Sequence, residues 1–272
     1  MLGAETTSWR VHGRDLLWSR KTAHWDRVAP ILFPCVGWSR DGRIRVGGDV
    51  YPMPVHGFAP SVTFELVEVD ASSAILQLRD NEDTRANYPF PFLLRVRYAL
   101  FRTTLLASVE VTNTGVGDLP YACGFHPGFA WPNAGGGKHD YRIEFSEVEN
   151  HEIPVIAAGG LFSKHTRAVP FDGRNLPLSD DVFAQEALCF LNAHSRTITF
   201  AGPGGAILAK ADGFKHWALW SRPGAPFLCV EAWTGHGDPE GFTGEFAEKP
   251  SLDHLKPGET RRHTLSLSWR AL

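Results

Sequence analysis

The sequence of 272 residues predicts an all-β protein, either a sandwich or a barrel. Many short segments alternate apolar and polar residues with a period of two, which is typical of half-buried strands. Turn-forming residues, 27 Gly and 19 Pro, separate these segments. No long segment has the 3.6-residue period of an amphipathic helix. Without a linker, a low-complexity run or an internal repeat, a single domain covering residues 1–272 is the simplest organisation.

The first strands are predicted in the N-terminal half of the chain. In "SVTFELVEV" the side chains of Val62, Phe64 and Leu66 share one face. In "FLLRVRYAL" apolar residues alternate with arginines, and after a turn at "RTT" the segment "LLASVEV" continues the pattern. We expect these last two segments to pair as an antiparallel hairpin that ends at the turn-like "TNTGVGD".

Later strands follow the same pattern, and the helical content is low. The later strands are predicted at "RIEFSEVE", "TITFAG", "GAILAKA", "HWALWS", "PFLCVEAW" and "HTLSLSW". The best helical candidate, "DVFAQEAL", is long enough for one or two turns capped by Ser179 or Asp180. The glycines of "NAGGGKHD" predict a loop between strands and not a phosphate-binding loop, because no following helix begins with Lys-Ser or Lys-Thr.

Composition excludes several classes of partner. The formal net charge is −3, and Lys and Arg residues do not cluster, so a nucleic-acid surface is not expected. No segment approaches the roughly 20 apolar residues of a membrane-spanning helix, and no secretory signal is apparent. Four widely spaced cysteines, Cys35, Cys123, Cys189 and Cys229, predict buried free thiols. We therefore expect a cytoplasmic protein without nucleic-acid or membrane partners.

Three segments place an ionisable residue beside Gly, Pro and aromatic residues. His56 lies on the tight loop "YPMPVHGFAP", where a solvated histidine is the simplest expectation. His126, in "CGFHPGFAWP", is either a catalytic imidazole or part of a corner. Glu231 follows the buried run "FLCV", so it must be paired, at the mouth of the sheet, or functional, and burial would raise its pKa. The histidines lack metal-ligand spacing, so no metal site is expected.

The order of these segments identifies a family. The characteristic segments are "LLWSRKTAHWDRVAPILFPCVG", "YPMPVHGFA", "NYPFPFLLRVRYAL", "VTNTG", "GFHPGF", "LPLSDDVFAQEALCF", "ALWSRPGAPFLCVEAWTGHGD" and "EKPSLDHLKPGE". Together they resemble the aldose 1-epimerase (galactose mutarotase-like) family, in particular its shorter bacterial branch. The resemblance implies a large antiparallel β-sandwich with few short helices.

The resemblance also implies a site and a reaction. Glu231 matches the glutamate that takes the proton from the anomeric hydroxyl of the sugar, and His126 and His56 match the two active-site histidines. We expect His126 to protonate the ring oxygen and His56 to bind the sugar or share the acid role. The implied partner is a small sugar, and the implied reaction needs no cofactor because only protons move and one hemiacetal bond breaks.

Two positions depart from the family pattern. Trp38 occupies the place where many relatives carry an Arg that contacts sugar hydroxyls, so Arg40 or Arg43 is expected to substitute, or Trp38 changes the pocket. Glu186 stands where relatives often have Asp, and either binds sugar or is a surface charge. Three aromatic residues are candidates for stacking on the sugar or for core packing: Phe58, Trp131 and Trp233.

Two alternatives to a free-aldose mutarotase stay open from the sequence. A hexose-6-phosphate mutarotase would need cations converging on the phosphate, for which Arg79, Arg85 and Lys215 are candidates. A non-catalytic carbohydrate-binding or sensing protein could use the same fold. It would have no need for an acid and a base together.

Overall fold

The computed structural model describes residues 1–20 and 24–271, so three residues of the segment "LLWSRKTAHWDRVAPILFPCVG" lie outside the described residues. The strands are β1 Arg10–Val11, β2 Arg14–Asp15, β3 Ile31–Leu32, β4 Arg43–Val46, β5 Asp49–Pro52, β6 Glu65–Val69, β7 Ser73–Arg79, β8 Phe92–Phe101, β9 Thr104–Asn113, β10 Leu119–Tyr121, β11 Gly124–Phe125, β12 Gly128–Ala130, β13 Arg142–Phe145, β14 Glu152–Ala157, β15 Leu161–Ala168, β16 Asn175–Pro177, β17 Leu188–Phe190, β18 Thr197–Gly202, β19 Gly205–Asp212, β20 His216–Trp220, β21 Phe227–Trp233, β22 Asp253–Leu255 and β23 Thr260–Arg270.

Helices are few and short. Within residues 1–20 and 24–271, one α-helix, α1, covers Glu82–Arg85, and short 3-10 turns cover Arg40–Gly42, Ala59–Ser61, Lys138–Asp140, Ala158–Gly160, Asp180–Phe183 and Phe246–Glu248. None of the helices in the described part of the chain has the length and apolar character that a membrane crossing requires.

Two antiparallel sheets form the sandwich, which confirms the predicted fold class. The larger is nine-stranded, in the order β16-β13-β18-β19-β23-β9-β8-β7-β6. The smaller is six-stranded, in the order β17-β20-β21-β11-β3, with β12 also paired to β21. Small two-stranded sheets complete the fold: β1-β2, β4-β5, β10-β22 and β14-β15.

The predicted hairpin of the N-terminal half is confirmed. Strands β8 and β9 pair along their whole length, from Phe92 opposite Asn113 to Phe101 opposite Thr104. Every second residue of β9 is buried, because side chains of successive residues point to opposite faces of the sheet. In β8 the buried Leu94 and Val96 alternate with the exposed Arg95 and Arg97, but Leu100 at the end of the strand is exposed. The later predicted strands are also present, as β13, β18, β19, β20, β21 and β23.

The structure corrects two local predictions. Leu66 is 42% exposed, because β6 is the edge strand of the larger sheet and all of its residues are exposed. The segment "DVFAQEAL" contributes to one short 3-10 turn, Asp180–Phe183, as predicted, but the Ser179 side chain at its N-cap makes no capping hydrogen bond. Helix α1 was not predicted, although Asn81 and Thr84 form a reciprocal capping box that the sequence "NEDT" shows.

The six-stranded sheet separates the core from a cleft. In β21, Leu228, Val230 and Ala232 alternate with Cys229, Glu231 and Trp233, and all are buried. The core side meets the nine-stranded sheet through aromatic contacts, as between Phe129 of β12 and Phe200 of β18. The four cysteines are free and buried, as predicted.

Candidate active site

A cleft of about 530 Å³ opens on the other face of the six-stranded sheet. This volume is within the range of small-molecule sites. The cleft brings together six of the residues that the sequence singles out: Trp38, His56, His126, Glu186, Glu231 and Trp233. These six residues, which lie far apart in the sequence, are therefore close together in the folded chain.

The register of the sheet places His126 directly opposite Glu231. Phe125 of β11 pairs with Ala232 of β21, and Gly128 of β12 pairs with Cys229. The register does not shift between these pairs, so His126 and Glu231 are cross-strand neighbours whose side chains lie on the same face. His126 Nε2 lies 3.2 Å from Glu231 Oε2.

Proline interrupts the ladder beside this pair. Val230 donates its backbone N–H to the carbonyl of Pro127 over 3.2 Å, but Pro127 has no N–H to return the bond. On the other side of the strand, His126 donates its backbone N–H to the carbonyl of Pro30. The chain thus stays in register at His126 while the short strands β11 and β12, of two and three residues, remain separate.

Burial shifts both partners of the pair toward their neutral forms. It raises the pKa of Glu231 well above its ordinary value. The hydrogen bond that Trp233 Nε1–H donates to Glu231 Oε2, 3.0 Å away, opposes this rise. Burial, with a smaller contribution from nearby His56, lowers the pKa of His126 well below its ordinary value. Both shifts favour the state in which the one ionisable proton of the pair lies on Glu231 and the His126 ring is neutral.

His56 is held by the backbone around it. Its φ is 64°, and its Nδ1 accepts the N–H of Gly37 over 3.2 Å. Because Nδ1 accepts, the proton of the neutral ring is on Nε2. Burial lowers the pKa of His56 to about 4, so this ring is neutral at physiological pH. Its centroid lies 5.3 Å from that of His126.

The glycine after His56 is required by close packing. A Cβ on Gly57, which has a φ of 76°, would lie 2.1 Å from the carbonyl oxygen of Phe33. Only glycine permits this approach of two backbone segments. The "HGF" segment is therefore a tight turn that aims His56 at the cleft, and not a solvated loop.

Two tryptophans that sequence reasoning did not single out form walls around His126. The ring of Trp25 lies 4.9 Å from that of His126 and 5.5 Å from that of Trp220. The Trp220 ring meets His126 edge-on at 5.8 Å. The only sequence signals for these residues were the segments "HWDRVAP" and "ALWSRPG", which the resemblance already included.

Trp38 and Glu186 lie at the mouth of the cleft. Trp38 is 47% exposed and packs beside Gly160, where a Cβ would lie 1.9 Å from the indole. Glu186 is exposed and has a backbone φ of 105°, a value that residues other than glycine rarely adopt. Strain of this kind is common at ligand-binding positions.

Other residues predicted to bind the sugar lie elsewhere. Arg40 and Arg43 line a separate small pocket, and the Arg40 backbone N–H donates to Asp238 over 2.8 Å. Phe58 belongs to the core, where it packs on Phe33 and Phe92. Trp131 is also buried in the core, with its Nε1–H donated to the carbonyl of Lys138.

The cations proposed for a phosphate do not converge on the cleft. Arg79, Arg85 and Lys215 are absent from its lining, and the latter two are paired with Asp80 and Asp253. Two other arginines, Arg27 and Arg222, do line it. Across residues 1–20 and 24–271, no three His, Cys, Asp or Glu side chains are grouped to hold a metal ion.

The chain is similar to known proteins in both sequence and structure. The sequence profile of the family described as aldose 1-epimerase matches residues 1–268. The plasmid-encoded protein LacX of Lactococcus lactis subsp. lactis is 30% identical over 281 residues, which cover 98% of this chain and 94% of LacX.

Solved structures with the same fold include two at 27% identity. The galactose mutarotase related enzyme from Lactobacillus acidophilus superposes with a TM-score of 0.89, over 98% of this chain and 92% of that one. A galactose mutarotase-like protein from Lactobacillus casei superposes with a TM-score of 0.90, over 98% and 94%. These findings support an isomerase of the mutarotase type, and the chain belongs to the aldose 1-epimerase family.

Proposed function

We propose that this protein interconverts the α- and β-anomers of a free aldose by opening and closing the sugar ring. The observation that carries the proposal is the contact between His126 Nε2 and Glu231 Oε2, 3.2 Å apart in the cleft. The reaction needs a base that deprotonates the C1 hydroxyl and an acid that protonates the ring oxygen. These two oxygens are bonded to the same carbon, C1. A buried pair that holds one proton supplies both groups together.

The reaction begins when the shared proton lies on His126 and Glu231 is a carboxylate. Sugar hydroxyls entering the cleft favour this state, because their hydrogen bonds replace the solvation that burial removes. Glu231 takes the proton of the C1 hydroxyl, His126 gives its proton to the ring oxygen, and the C1–O5 bond breaks to leave an aldehyde.

Closure restores both residues. After rotation about the C1–C2 bond, the O5 hydroxyl attacks the other face of the aldehyde and returns its proton to His126. Glu231 returns its proton to the former aldehyde oxygen. No proton is gained or lost over the cycle, so no cofactor is required.

His56 and Glu186 are assigned to binding. The Nε2–H of neutral His56 is free to donate to a sugar oxygen, since Nδ1 is engaged with Gly37. Glu186 at the mouth accepts hydrogen bonds from sugar hydroxyls, and its strained backbone supports a binding role. Trp233 holds Glu231 through its indole N–H, and Trp38 offers an aromatic surface to the sugar.

The Glu231→Gln variant tests the proposal. The amide has nearly the same shape and can still accept the Trp233 N–H, but it cannot take a proton. We expect anomer exchange to fall by about 10²- to 10⁴-fold, while sugar binding is kept. Polarimetry and exchange NMR on freshly dissolved α-anomers of glucose, galactose, xylose and arabinose measure the rate.

The control is Glu68→Gln, a change of the same kind at an exposed position of edge strand β6. It should exchange anomers at the wild-type rate. If the wild-type protein accelerates exchange of no sugar, the proposed reaction is wrong. Binding without acceleration would instead identify a carbohydrate-binding protein on this fold.

A phosphorylated aldose is a second candidate substrate. Arg27 and Arg222 both line the cleft, and the Arg222 guanidinium lies over the Trp220 ring, 5.8 Å from its centroid. Glucose 6-phosphate and galactose 6-phosphate are therefore included in the screen. A preference for these sugars that is lost in Arg222→Gln would favour this candidate over a neutral aldose.

We also propose a cytoplasmic location. The protein keeps four buried cysteines as free thiols. Free thiols are typical of a reducing compartment. Fractionation of the cells that produce the protein tests this.

A further inference from the structure

A buried ion pair lies behind the wall of the cleft to which Trp38 belongs. Lys249 Nζ lies 2.9 Å from Asp238 Oδ1, and the Lys249 side chain is 0% exposed. No hydrogen bond of ordinary geometry reaches Nζ from the described residues, so its compensation comes from the charge of Asp238. Neither residue lines the cleft. The pair therefore lies beside the site without facing the space that a sugar would fill.

Stability alone does not explain this pair. Taking two charges out of water costs free energy that their attraction often fails to recover, and apolar residues of similar volume commonly stabilise a core as well. Lys215 and Arg85 also pair with buried carboxylates, but their side chains are 49% and 56% exposed. What distinguishes the pair at Lys249 is the set of segments that Asp238 holds.

Asp238 joins two segments that line the cleft. Its backbone N–H donates to the carbonyl of Trp38 over 2.8 Å, and its Oδ2 accepts the backbone N–H of Arg40 over 2.8 Å. Ser39 gives the 3-10 turn Arg40–Gly42 no side-chain cap, so Asp238 binds a donor at the start of this turn instead. The Asp238 carbonyl accepts the N–H of Phe162 in the β14–β15 hairpin. One residue thus fixes both segments.

The turn that Asp238 holds includes the neighbour of the residue that orients His56. Gly37, directly before Trp38, donates its N–H to His56 Nδ1 over 3.2 Å and accepts the His56 N–H over 2.9 Å. A Cβ on Gly37 would lie 2.9 Å from the backbone of Gly237, the residue before Asp238. Because these backbones are in contact, a shift of Asp238 moves the donor that sets the His56 tautomer.

We propose that Lys249 is a positioning residue for His56. This rests on the proposed function, in which the Nε2–H of His56 donates to the sugar. The Lys249 ammonium holds the Asp238 carboxylate toward the Arg40 N–H. The turn then keeps the Gly37 N–H on His56 Nδ1, and the proton of the ring stays on Nε2. An apolar residue at position 249 could fill the same space but could not hold the carboxylate.

The Lys249→Met variant tests this role. It keeps the bulk of the side chain but leaves the Asp238 carboxylate buried without its cation. We expect the His56 ring to populate both neutral tautomers. KM for the aldose that exchanges fastest should rise about five-fold, the size of one lost hydrogen bond, while kcat stays nearly unchanged. Two-bond ¹H–¹⁵N spectra of the protein with ¹⁵N-labelled histidine report the tautomer, and exchange NMR gives KM and kcat.

A double variant and a matched control make the test specific. Lys249→Met combined with Asp238→Asn removes both charges, and the Asn amide oxygen can still accept the Arg40 N–H. The His56 tautomer and KM should therefore return toward their wild-type values. Lys256→Met is the same change in an exposed pair, since Lys256 Nζ lies 2.7 Å from Asp118 and both side chains face solvent. It should alter neither quantity.

A second buried histidine separates positioning from a general loss of structure. His263 Nδ1 donates to the carbonyl of Gly213, and its Nε2 accepts the Tyr121 hydroxyl, so its proton is on Nδ1. If Lys249→Met changes the His263 signals together with those of His56, the pair supports only the fold and the proposal is wrong.

An unchanged His56 tautomer with a wild-type KM also contradicts the proposal. If the tautomer changes in Lys249→Met while the wild-type protein accelerates the exchange of no sugar, Lys249 does position His56 and the proposed reaction has failed. The spectra therefore judge the positioning role independently of the reaction.

Discussion

The environment of His126 determines how its ring is oriented. Nδ1 of His126 is buried and has no hydrogen-bond partner among the described residues, whereas Nε2 contacts Glu231. The common arrangement, in which the second nitrogen is fixed by a carbonyl or carboxylate, is therefore absent here. Ring packing against Trp25 and Trp220 takes its place. We infer that Trp25 is a positioning residue for the candidate acid.

Replacing Trp25 tests this role. Trp25→Ala admits water to His126, which reduces the desolvation that lowers its pKa. We expect kcat to fall by about ten-fold and the acid limb of the pH-rate profile to move to higher pH. Trp25→Phe, which keeps a ring against His126, should lie close to wild type. A lower kcat with an unmoved pH profile would mean that Trp25 only contacts the sugar.

At the level of the strand, glycine allows β11 to approach β21 closely. A Cβ on Gly124 would lie 2.8 Å from the ring of Trp233 and 2.9 Å from the carbonyl oxygen of Ala232. The carbonyl cannot move without disturbing the ladder. Because Trp233 donates its indole N–H to Glu231, a shift of this ring also changes the candidate base.

Gly124→Ala should therefore be costly in two ways. We expect the free energy of unfolding to fall by about 1–3 kcal/mol, as for other overpacked sites, and anomer exchange to slow through the displaced Trp233. Urea denaturation and exchange NMR measure the two effects. Gly117→Ala is the matched control, since a Cβ there would meet nothing within 4 Å and the change should be neutral. If Gly124→Ala is as stable as the wild type, β21 can shift to accommodate the added methyl group.

Across the whole molecule, buried histidines link stability to pH. Burial lowers the pKa of His56 to about 4, of His216 to about 3 and of His236 to about 4. His216 Nδ1 accepts the N–H of Asn192, and His236 Nδ1 donates to the carbonyl of Gly237. All three are held neutral in the folded protein, whereas the unfolded chain protonates them near pH 6.5.

Stability should consequently decrease as the pH falls. At these three histidines the unfolded chain binds more protons than the folded one between about pH 6.5 and 4, so they make the free energy of unfolding rise with pH in this window. The contribution is fully present above pH 6.5 and is lost as the pH approaches 4. Urea denaturation at several pH values measures the slope.

His236→Asn tests the origin of this slope. The variant keeps a donor for the Gly237 carbonyl and should reduce the slope by about one proton. Replacing the exposed His139 with Asn should leave the slope unchanged. A slope that is unaltered in His236→Asn would exclude this histidine as a cause.

The sequence by itself determined the strand content and the family. Alternating burial is a local property of a strand, so β8, β9 and the later strands could be read from neighbouring residues. The ordered segments also identified His56, His126 and Glu231. The period-two pattern did not predict that Leu66 is exposed. Exposure at a sheet edge depends on which strand is outermost and not on the strand's own residues.

The tertiary structure decided how the site is assembled. His126 and Glu231 meet because β11, β12 and β21 pair in one continuous register, and pairing between distant strands is not encoded in any local period. The same nonlocal packing sent Phe58 and Trp131 to the core and brought Trp25 onto the candidate acid. It did so because the position of an aromatic side chain depends on the opposing layer, which only the folded chain supplies.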